Sequence, residues 1–533
     1  MDQGERSSSN RRKVLWGLGG AGVLVAAGGL ALRRGAGPSQ DGGAEAGTGG
    51  APTADAGTPR HGGVLRLAYA DSPDTLDIHR TMSYVGRQIS TLVYDSLTRL
   101  DAQDRPQPCL ATRWWPEKDG EEWVFELREG VRFHHGRTLD SADVVASIER
   151  IQDPQAAFGS IGSFGPVRSV AAEGPRRVRI VYRQRFGEAP IVVAGDHAGI
   201  VPADRITTLA QHPIGTGAFV FKDFQPGSGV TLARNPDYWI AGRPYLDGIE
   251  IRTIREPVAQ QGALQAGDID LVPMISPEAY LSLKGNPRLQ TWSAPNGAHH
   301  VLLVEADRAP FDRIEVREAF RYLIDRNALL ASALLGQGRV GADIPVAAGT
   351  PFFPPIQPRG QDLAKARQLL QSAGIDRLTL DLWTSSERPP APKMALSFAQ
   401  AAAPLGVTLQ VRDIPYTEYV SSVSRKKPLY TNYQGSWPTL YQSVYRAYRS
   451  GEGYNYGGRE QYPGADAQLE ELVSATDPVQ RQARARVVLE RLSLYGERIT
   501  PYFQNYMAAA SPRVRGFVPP AYMLIDLQSI WLA

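Results

Sequence analysis

An ordered alternation of strands and helices in the C-terminal part of the chain constrains the fold more than any other feature. The pattern predicts strand Leu378–Trp383, helix Pro392–Ala403, strand Val407–Val411, helix Tyr416–Val423 and strand Leu429–Tyr433. Strands that are separated by helices pair in parallel, because the connecting helix carries the chain back over the sheet. The segment therefore predicts βαβ units and places the chain in the α/β class.

The rest of the body mixes the same two types of element. Alternating apolar residues predict strands over Val64–Tyr69 and Trp123–Leu127, and a helical stripe of apolar residues predicts a helix over Tyr84–Leu97. Two apolar runs around a Pro-Gly-Ser-Gly turn predict a hairpin over Phe219–Leu232. With 533 residues, the chain is long enough for two to four domains.

The N-terminal 60 residues have the pattern of an export signal and a linker. Arg11 and Arg12 precede Val14–Leu32, an uncharged and mildly apolar run, which is typical of a twin-arginine signal. The same run is long enough to remain as a membrane tether if it is not cleaved. We expect residues 1–34 to be a twin-arginine-type export signal and residues 35–60 to be a disordered linker.

The charge balance of the body argues against nucleic-acid binding. Six of the 58 Lys and Arg residues and two of the 55 Asp and Glu residues lie in residues 1–34, which leaves 52 basic against 53 acidic residues. A protein that binds nucleic acid needs a basic surplus to neutralise phosphates. The single cysteine, Cys109, excludes an intrachain disulfide and a cysteine-only metal site.

Motifs of common enzyme classes are missing from the sequence. It contains no G-x-S-x-G, no H-E-x-x-H and no Gly-Lys dipeptide, which excludes a P-loop. The pairs His134-His135 and His299-His300 are adjacent, and adjacent residues on a strand point to opposite faces. We therefore predict no metal site and no cofactor, and the sequence favours binding over catalysis.

Ordered sequence motifs extend over most of the chain after His61. They are Pro108–Trp114, Glu122–Gly136, Leu139–Val144, Pro213–Phe219, Ala233–Trp239, Leu264–Asp270 and Pro310–Arg326. In type and order these motifs resemble the extracellular solute-binding proteins of family 5, which are the peptide and nickel receptors of ABC importers.

The resemblance implies an α/β, two-lobed periplasmic binding protein fold with a third, smaller inserted domain. Residues 61–297 would form the first lobe, with the inserted domain at about 103–210. Residues 298–502 would form the second lobe, and 503–533 would return to the first. Ligand would be enclosed between lobes that close by hinge motion.

The resemblance also implies a non-enzymatic receptor in the periplasm. Its ligand would be a peptide, modified peptide, organic anion or metal chelate, delivered to ABC transporter permease subunits. We further expect a monomer that is exported by the twin-arginine machinery. Two alternatives stay open at this point: an exported enzyme on an unfamiliar scaffold, and a ligand sensor that reports to a membrane receptor.

One segment, Leu429–Tyr441, is expected to set the choice of ligand. In peptide-binding relatives an acidic residue shortly after the matching Trp pairs with the α-ammonium of the peptide, whereas Pro438–Tyr445 contains no Asp or Glu. The spacing of Trp437 and Tyr441 instead resembles that in the nickel-complex receptors. The segment therefore favours a small organic anion, a modified peptide or a metal chelate, with unmodified peptides second.

Ten side chains are predicted to bind ligand. Tyr433, Trp437 and Tyr441 would stack on flat or apolar faces. Arg87 or His197 would hold an anionic group. The other candidates, which follow from their positions in the family fold, are Met82, Ser83, Thr216, Gly217 and His300.

Overall fold

The computed structural model describes residues 57–101, 105–153, 155, 162–348, 350, 352–452, 454–455, 458–522 and 524–533. The predicted export signal and nearly all of the predicted linker lie outside the described residues. None of the helices in the described part of the chain combines the length and the apolar character that are needed to cross a membrane.

The strands are short and follow the apolar alternation of the sequence. They are β1 (Val64–Tyr69), β2 (Thr98–Leu100), β3 (Pro106–Pro108), β4 (Ala111–Glu117), β5 (Glu122–Leu127), β6 (Val167–Ala172), β7 (Arg177–Tyr182), β8 (Phe219–Gln225), β9 (Gly229–Arg234), β10 (Gly248–Thr253), β11 (Leu271–Val272), β12 (Gln290–Ala294), β13 (His299–Val304), β14 (Gly338–Val340), β15 (Leu378–Thr384), β16 (Val407–Asp413), β17 (Leu429–Gln434), β18 (Arg498–Gln504), β19 (Tyr506–Ala510), β20 (Val514–Arg515) and β21 (Trp531–Leu532).

The helices are interspersed with these strands. They are α1 (Tyr84–Val93), α2 (Ser141–Gln152), α3 (Ala189–Val192), α4 (Pro257–Ala266), α5 (Pro277–Leu283), α6 (Ile314–Tyr322), α7 (Arg326–Leu334), α8 (Leu363–Ser372), α9 (Ala391–Ala402), α10 (Tyr416–Ser422), α11 (Arg446–Tyr448), α12 (Ala465–Ser474) and α13 (Pro478–Tyr495).

Three larger sheets organise the described residues. Sheet I has the strand order β12-β19-β11-β1-β10-β9-β8, sheet II has β14-β18-β13-β17-β15-β16, and sheet III has β4-β5-β7-β6. The chain leaves sheet I after β1, forms sheet III and returns to sheet I at β8. It then crosses to sheet II and comes back to sheet I at β19. The predicted α/β class, with two main sheets and a smaller inserted one, is confirmed.

The alternating C-terminal segment forms the parallel part of sheet II. β15 pairs in parallel with β16 along its whole length and with β17 through Trp383 and Tyr430. α9 buries Met394 and Phe398, which are one helical turn apart, in the core beside the sheet. Full burial of such a side chain stabilises the fold by roughly 1.5–3 kcal/mol. The apolar period of 3.6 residues thus fixes which face of α9 covers the strands.

One predicted helix is shorter in the structure than in the sequence pattern. α1 was expected to reach Leu97 but ends at Val93, and Tyr94 has extended backbone angles. The carbonyl of Val93 accepts a hydrogen bond of 2.9 Å from the backbone N–H of Gly217. A Cβ on Gly217 would lie 2.4 Å from the carbonyl oxygen of Leu92, so only glycine permits this approach. A loop distant in sequence therefore ends the helix.

The exact domain boundaries at 103, 210, 298 and 503 stay predictions. In the structure, the strands of sheet III lie within 111–182. The chain changes from sheet I to sheet II between Ala294 and His299, and it changes back at Asn505.

Candidate functional site

Both chain crossings between sheets I and II run side by side. The first crossing is residues 295–298, and the second is Asn505 alone, between β18 and β19. The backbone N–H of Gln504 donates to the carbonyl of Ala298 at 2.9 Å. The Asn505 side chain donates to Ser293 Oγ, also at 2.9 Å. Two short, adjacent connections of this kind are where two halves of a protein can rotate against each other.

A cavity of about 380 Å³ lies beside these crossings. It is walled from the sheet I side, from the sheet II side and by the crossings themselves. The walls include Tyr84, Met274, Glu278, Tyr506 and Met507 on the first side, Leu334, Pro389, Pro390, Lys393 and Tyr433 on the second, and Asn296, Gln504 and Asn505 at the crossings. Apolar surfaces with a few amide, phenol and charged groups are typical of sites for small organic ligands.

Glu278 and Lys393 are the charged side chains among the residues that line the cavity. Lys393 Nζ lies 3.3 Å from Glu278 Oε1, and each side chain is about half exposed, at 52% and 54%. Glu278 belongs to α5 on the sheet I side, and Lys393 belongs to α9 on the sheet II side. Burial raises the pKa of Glu278, but hydrogen bonds from its own backbone, Ser276 and Lys393 outweigh this and lower the pKa overall.

Arg87 is buried next to this region and is already paired. Its guanidinium lies 3.1 Å from Asp196 and 5.8 Å from the centre of the Trp437 ring. Burial raises the pKa of Asp196, but the positive charge of Arg87, with smaller contributions from His197 and backbone hydrogen bonds, outweighs this effect, so the pKa is lower than usual. His197 follows Asp196, and its Nδ1 lies 3.2 Å from the carbonyl of Ile78. A ligand anion at Arg87 would share the guanidinium with Asp196.

Tyr433 connects the cavity to this charged group. It lines the cavity and lies opposite His300 in the sheet register, with ring centres 5.2 Å apart. Burial raises the pKa of Tyr433, and the positive charges of Arg87 and Arg388 oppose that rise. Burial also lowers the pKa of His300 to about 3, with His299 and Arg388 contributing. His300 is therefore a neutral, buried neighbour of the cavity wall.

Tyr441 lies away from the cavity, in the core between sheet III and the C-terminal helices. Its ring packs edge-on against Phe186 at 5.1 Å and stacks on Tyr445 at 5.3 Å. Its backbone N–H donates to Glu188 at 2.7 Å.

Two further predicted ligand-binding residues make local contacts around α1. Ser83 caps α1, because its Oγ accepts a hydrogen bond of 3.0 Å from the N–H of Gly86. The N–H of Met82 donates to Asp74 at 2.8 Å, and the Met82 side chain is exposed. Neither residue lines the cavity.

Thr216 and Gly217 lie in a buried polar cluster around Asp95. Thr216 Oγ1 and Trp239 Nε1 both donate to Asp95 at 2.9 Å. The carbonyl of Gly217 accepts hydrogen bonds from His134 and Asn235. The glycine-rich turn thus brings backbone close to protein neighbours. Contact of either residue with ligand stays a prediction.

The structure therefore brings Tyr433, Trp437, Arg87, His197 and His300 together, and Met82 and Ser83 lie beside them, because the carbonyl of Ser83 accepts a hydrogen bond of 3.1 Å from the backbone N–H of Arg87. It places Tyr441, Thr216 and Gly217 in other buried clusters. Sequence reasoning missed most of the cavity wall, including Glu278, Lys393 and the crossing residue Asn505. One indication of these residues was available in the sequence, since Asn505 lies just after the predicted lobe boundary at residue 503. Within the described ranges, no group of three His, Cys, Asp or Glu side chains could hold a metal ion.

Comparison with known proteins adds a family and a fold. The family model for bacterial extracellular solute-binding proteins, family 5, matches residues 105–456. A glutathione-binding protein of Salmonella paratyphi A is 25% identical over 365 residues, which cover 68% of this chain and 71% of that protein.

Solved structures match over a larger share of the chain. The periplasmic binding protein DppA of Helicobacter pylori, in complex with the peptide STSA, has a TM-score of 0.79 at 20% identity and covers 89% of this chain and 98% of its own. NikA of Brucella suis, in complex with Fe(III)-EDTA, has a TM-score of 0.78 at 20% identity. The match covers 88% of this chain and 100% of NikA. At this level of identity the structural matches establish the fold.

Proposed function

Since the chain belongs to the bacterial extracellular solute-binding proteins of family 5, we propose that it binds a small amino-acid-derived solute and delivers it to an ABC import permease. The family is non-enzymatic, and its members work outside the cytoplasm. The observation that carries the proposal is the cavity of about 380 Å³ between the two main sheets, beside both crossings. This volume is within the range of small-molecule sites, which begins at about 300 Å³.

The cavity supports an amino-acid-derived ligand, such as a short or modified peptide. The preference for ligands without a free ammonium depended on the missing acid after Trp437. Glu278 provides a carboxylate from a different part of the chain. A buried ammonium needs such a partner, because an unpaired buried charge is costly. The glutathione-binding relative and the peptide-bound structure also support this class.

Binding is expected to stabilise the protein and to make it more compact. A solute at 100 times its dissociation constant should add about 2.7 kcal/mol to the free energy of unfolding. Contraction is expected because the ligand contacts both sides of a cavity beside two short crossings. Thermal unfolding with pools of peptides, amino acids and chelates would identify the solute, and small-angle scattering would measure the contraction. A tight solute that changes neither quantity would contradict the hinge closure.

Export by the twin-arginine route is a separate part of the proposal. Residues 1–34 contain the paired Arg11 and Arg12 before a mildly apolar run. Changing both arginines to lysine should leave the precursor in the cytoplasm, because that route reads the arginine pair itself. Cell fractionation and immunoblotting would measure this, with Arg33→Lys/Arg34→Lys as the control. Normal export of the Arg11→Lys/Arg12→Lys protein would rule the route out.

A further inference from the structure

The ion pair between Glu278 and Lys393 has an unusual position. The two residues are 115 positions apart, and they meet at the cavity from opposite sides, with Nζ and Oε1 3.3 Å apart. No other residue that lines the cavity in the described part of the chain carries a formal charge. The remaining walls offer apolar, amide and phenol groups. These two side chains are therefore the charged partners that the cavity lining itself offers to a ligand.

The pair contributes little to the stability of the fold. Both side chains are about half exposed, and exposed ion pairs are worth about 0–1 kcal/mol. Exchanging this contact for contacts with a ligand therefore costs little. A ligand with both charges would replace this one contact between charged groups by two, and such hydrogen bonds are about twice as strong as neutral ones.

We infer that Glu278 and Lys393 form a subsite for the zwitterionic head group of a free α-amino acid unit. Glu278 accepts hydrogen bonds from the ligand ammonium, and Lys393 donates to the ligand carboxylate. The ammonium and the carboxylate of such a unit are attached to the same carbon atom. This close spacing suits two protein charges whose Nζ and Oε1 atoms are 3.3 Å apart. The inference rests on the proposed function and names the ligand chemistry of that site.

The rest of the cavity fits this placement. Met274 and Pro277 lie near Glu278, and Pro389, Pro390 and Pro392 lie near Lys393, so the neighbouring walls are largely apolar. They can take the side chain of the same ligand. Tyr433 gives an aromatic face on the sheet II side. Because the head group would contact α5 and α9 together, it would link the two sides of the cavity.

Matched pools of ligands would test the subsite. The pools are the 20 common L-amino acids, the same compounds with acetylated amines, and the same compounds with amidated carboxyls, and a set of dipeptides, whose two charges lie on different carbon atoms, is measured beside them. Thermal unfolding would select binders from each pool, and calorimetry would give their affinities. We expect blocking of either group to weaken binding to the unchanged protein at least tenfold.

Two variants separate the roles of the two charges. Glu278→Gln should bind free and acetylated compounds equally while it still discriminates against amides. Lys393→Met should lose the discrimination against amides and keep that against acetylated amines. Asp381→Asn, in an exposed ion pair with Arg412 outside the cavity lining, is the matched control and should behave as the unchanged protein. Because Glu278 and Lys393 are half exposed, both variants should fold, which their melting temperatures would confirm.

The outcomes distinguish the subsite from the receptor function. Equal binding of free and blocked compounds, or unchanged discrimination in both variants, would overturn the subsite and leave a solute receptor. Binding of dipeptides, or of a chelate such as Fe(III)-EDTA, without binding of any free amino acid would do the same. If neither these pools nor chelates change the melting temperature, the proposed function fails and the subsite fails with it.

Discussion

Acidification from pH 7 to pH 4 is expected to unfold the protein, largely through four buried histidines. Burial lowers the pKa of His79, His134 and His299 to about 4 and that of His300 to about 3. In an unfolded chain each would have a pKa of about 6.5. Below that value the unfolded state binds more protons than the folded state, so the folded state loses stability as the pH falls.

The expected size of this effect is comparable with the whole stability of a protein. A shift of one pKa unit corresponds to about 1.4 kcal/mol, so each histidine costs about 3 kcal/mol at pH 4. Four such groups cost roughly 12 kcal/mol, within the usual stability of about 5–15 kcal/mol. Glu305 acts in the opposite direction, because burial and the nearby Glu497 raise its pKa to about 7, and burial likewise raises the pKa of Asp95 and of Glu188. The stabilising effect of Glu305 is present below pH 4.5 and is lost as the pH rises through 7, so these carboxyl groups offset part of the loss from the histidines.

Tryptophan fluorescence and circular dichroism between pH 7 and pH 4 would measure the transition. His300→Phe should make the stability less dependent on pH, because it removes one of the four groups from a site of similar shape. His212→Asn is the control, since His212 is exposed. Identical pH profiles for His300→Phe and the unchanged protein would contradict the assignment to buried histidines.

Much of the fold was predictable because its elements have strong local periods. The strands and helices from Leu378 to Tyr433 occur where the alternation places them, with ends that differ by one or two residues. The end of α1 was not predictable, since it depends on a hydrogen bond from Gly217, 124 positions after Val93. Local patterns report which face of an element is apolar, but they do not report which distant backbone group meets its end.

The site was predictable only in part, for a related reason. Tyr433 lines the cavity, and its aromatic surroundings indicated a binding segment. Thr216 was chosen from its motif, but a motif does not reveal that its hydroxyl donates to the buried Asp95. Glu278 and Lys393 have no local signal, because each is an ordinary helix charge until the fold brings α5 and α9 to one cavity.

Removal of Arg87 is expected to destabilise the protein by about 3–5 kcal/mol, because it leaves a largely buried carboxylate without its ion-pair partner. Arg87 is 7% exposed and lies 3.1 Å from Asp196. Urea unfolding of Arg87→Met at pH 7 would measure the loss. Glu250→Gln gives the control, since it breaks an exposed pair with Arg252 at 3.0 Å and should cost at most about 1 kcal/mol.

The loss in Arg87→Met should also depend on pH, in a direction that identifies its cause. In the unchanged protein Arg87 keeps the pKa of Asp196 below its usual value. Without the guanidinium, only His197 and the backbone hydrogen bonds of Asp196 and His197 oppose the effect of burial, so the pKa of Asp196 rises and the carboxyl takes up a proton more easily. The difference in stability between Arg87→Met and the unchanged protein should therefore be smaller at pH 5.5 than at pH 8. Arg87→Met/Asp196→Asn, which removes both charges, should regain much of the loss at pH 8. A loss that is the same at both pH values and is not recovered in the double variant would mean that Arg87 acts by packing against Trp437 rather than through its charge.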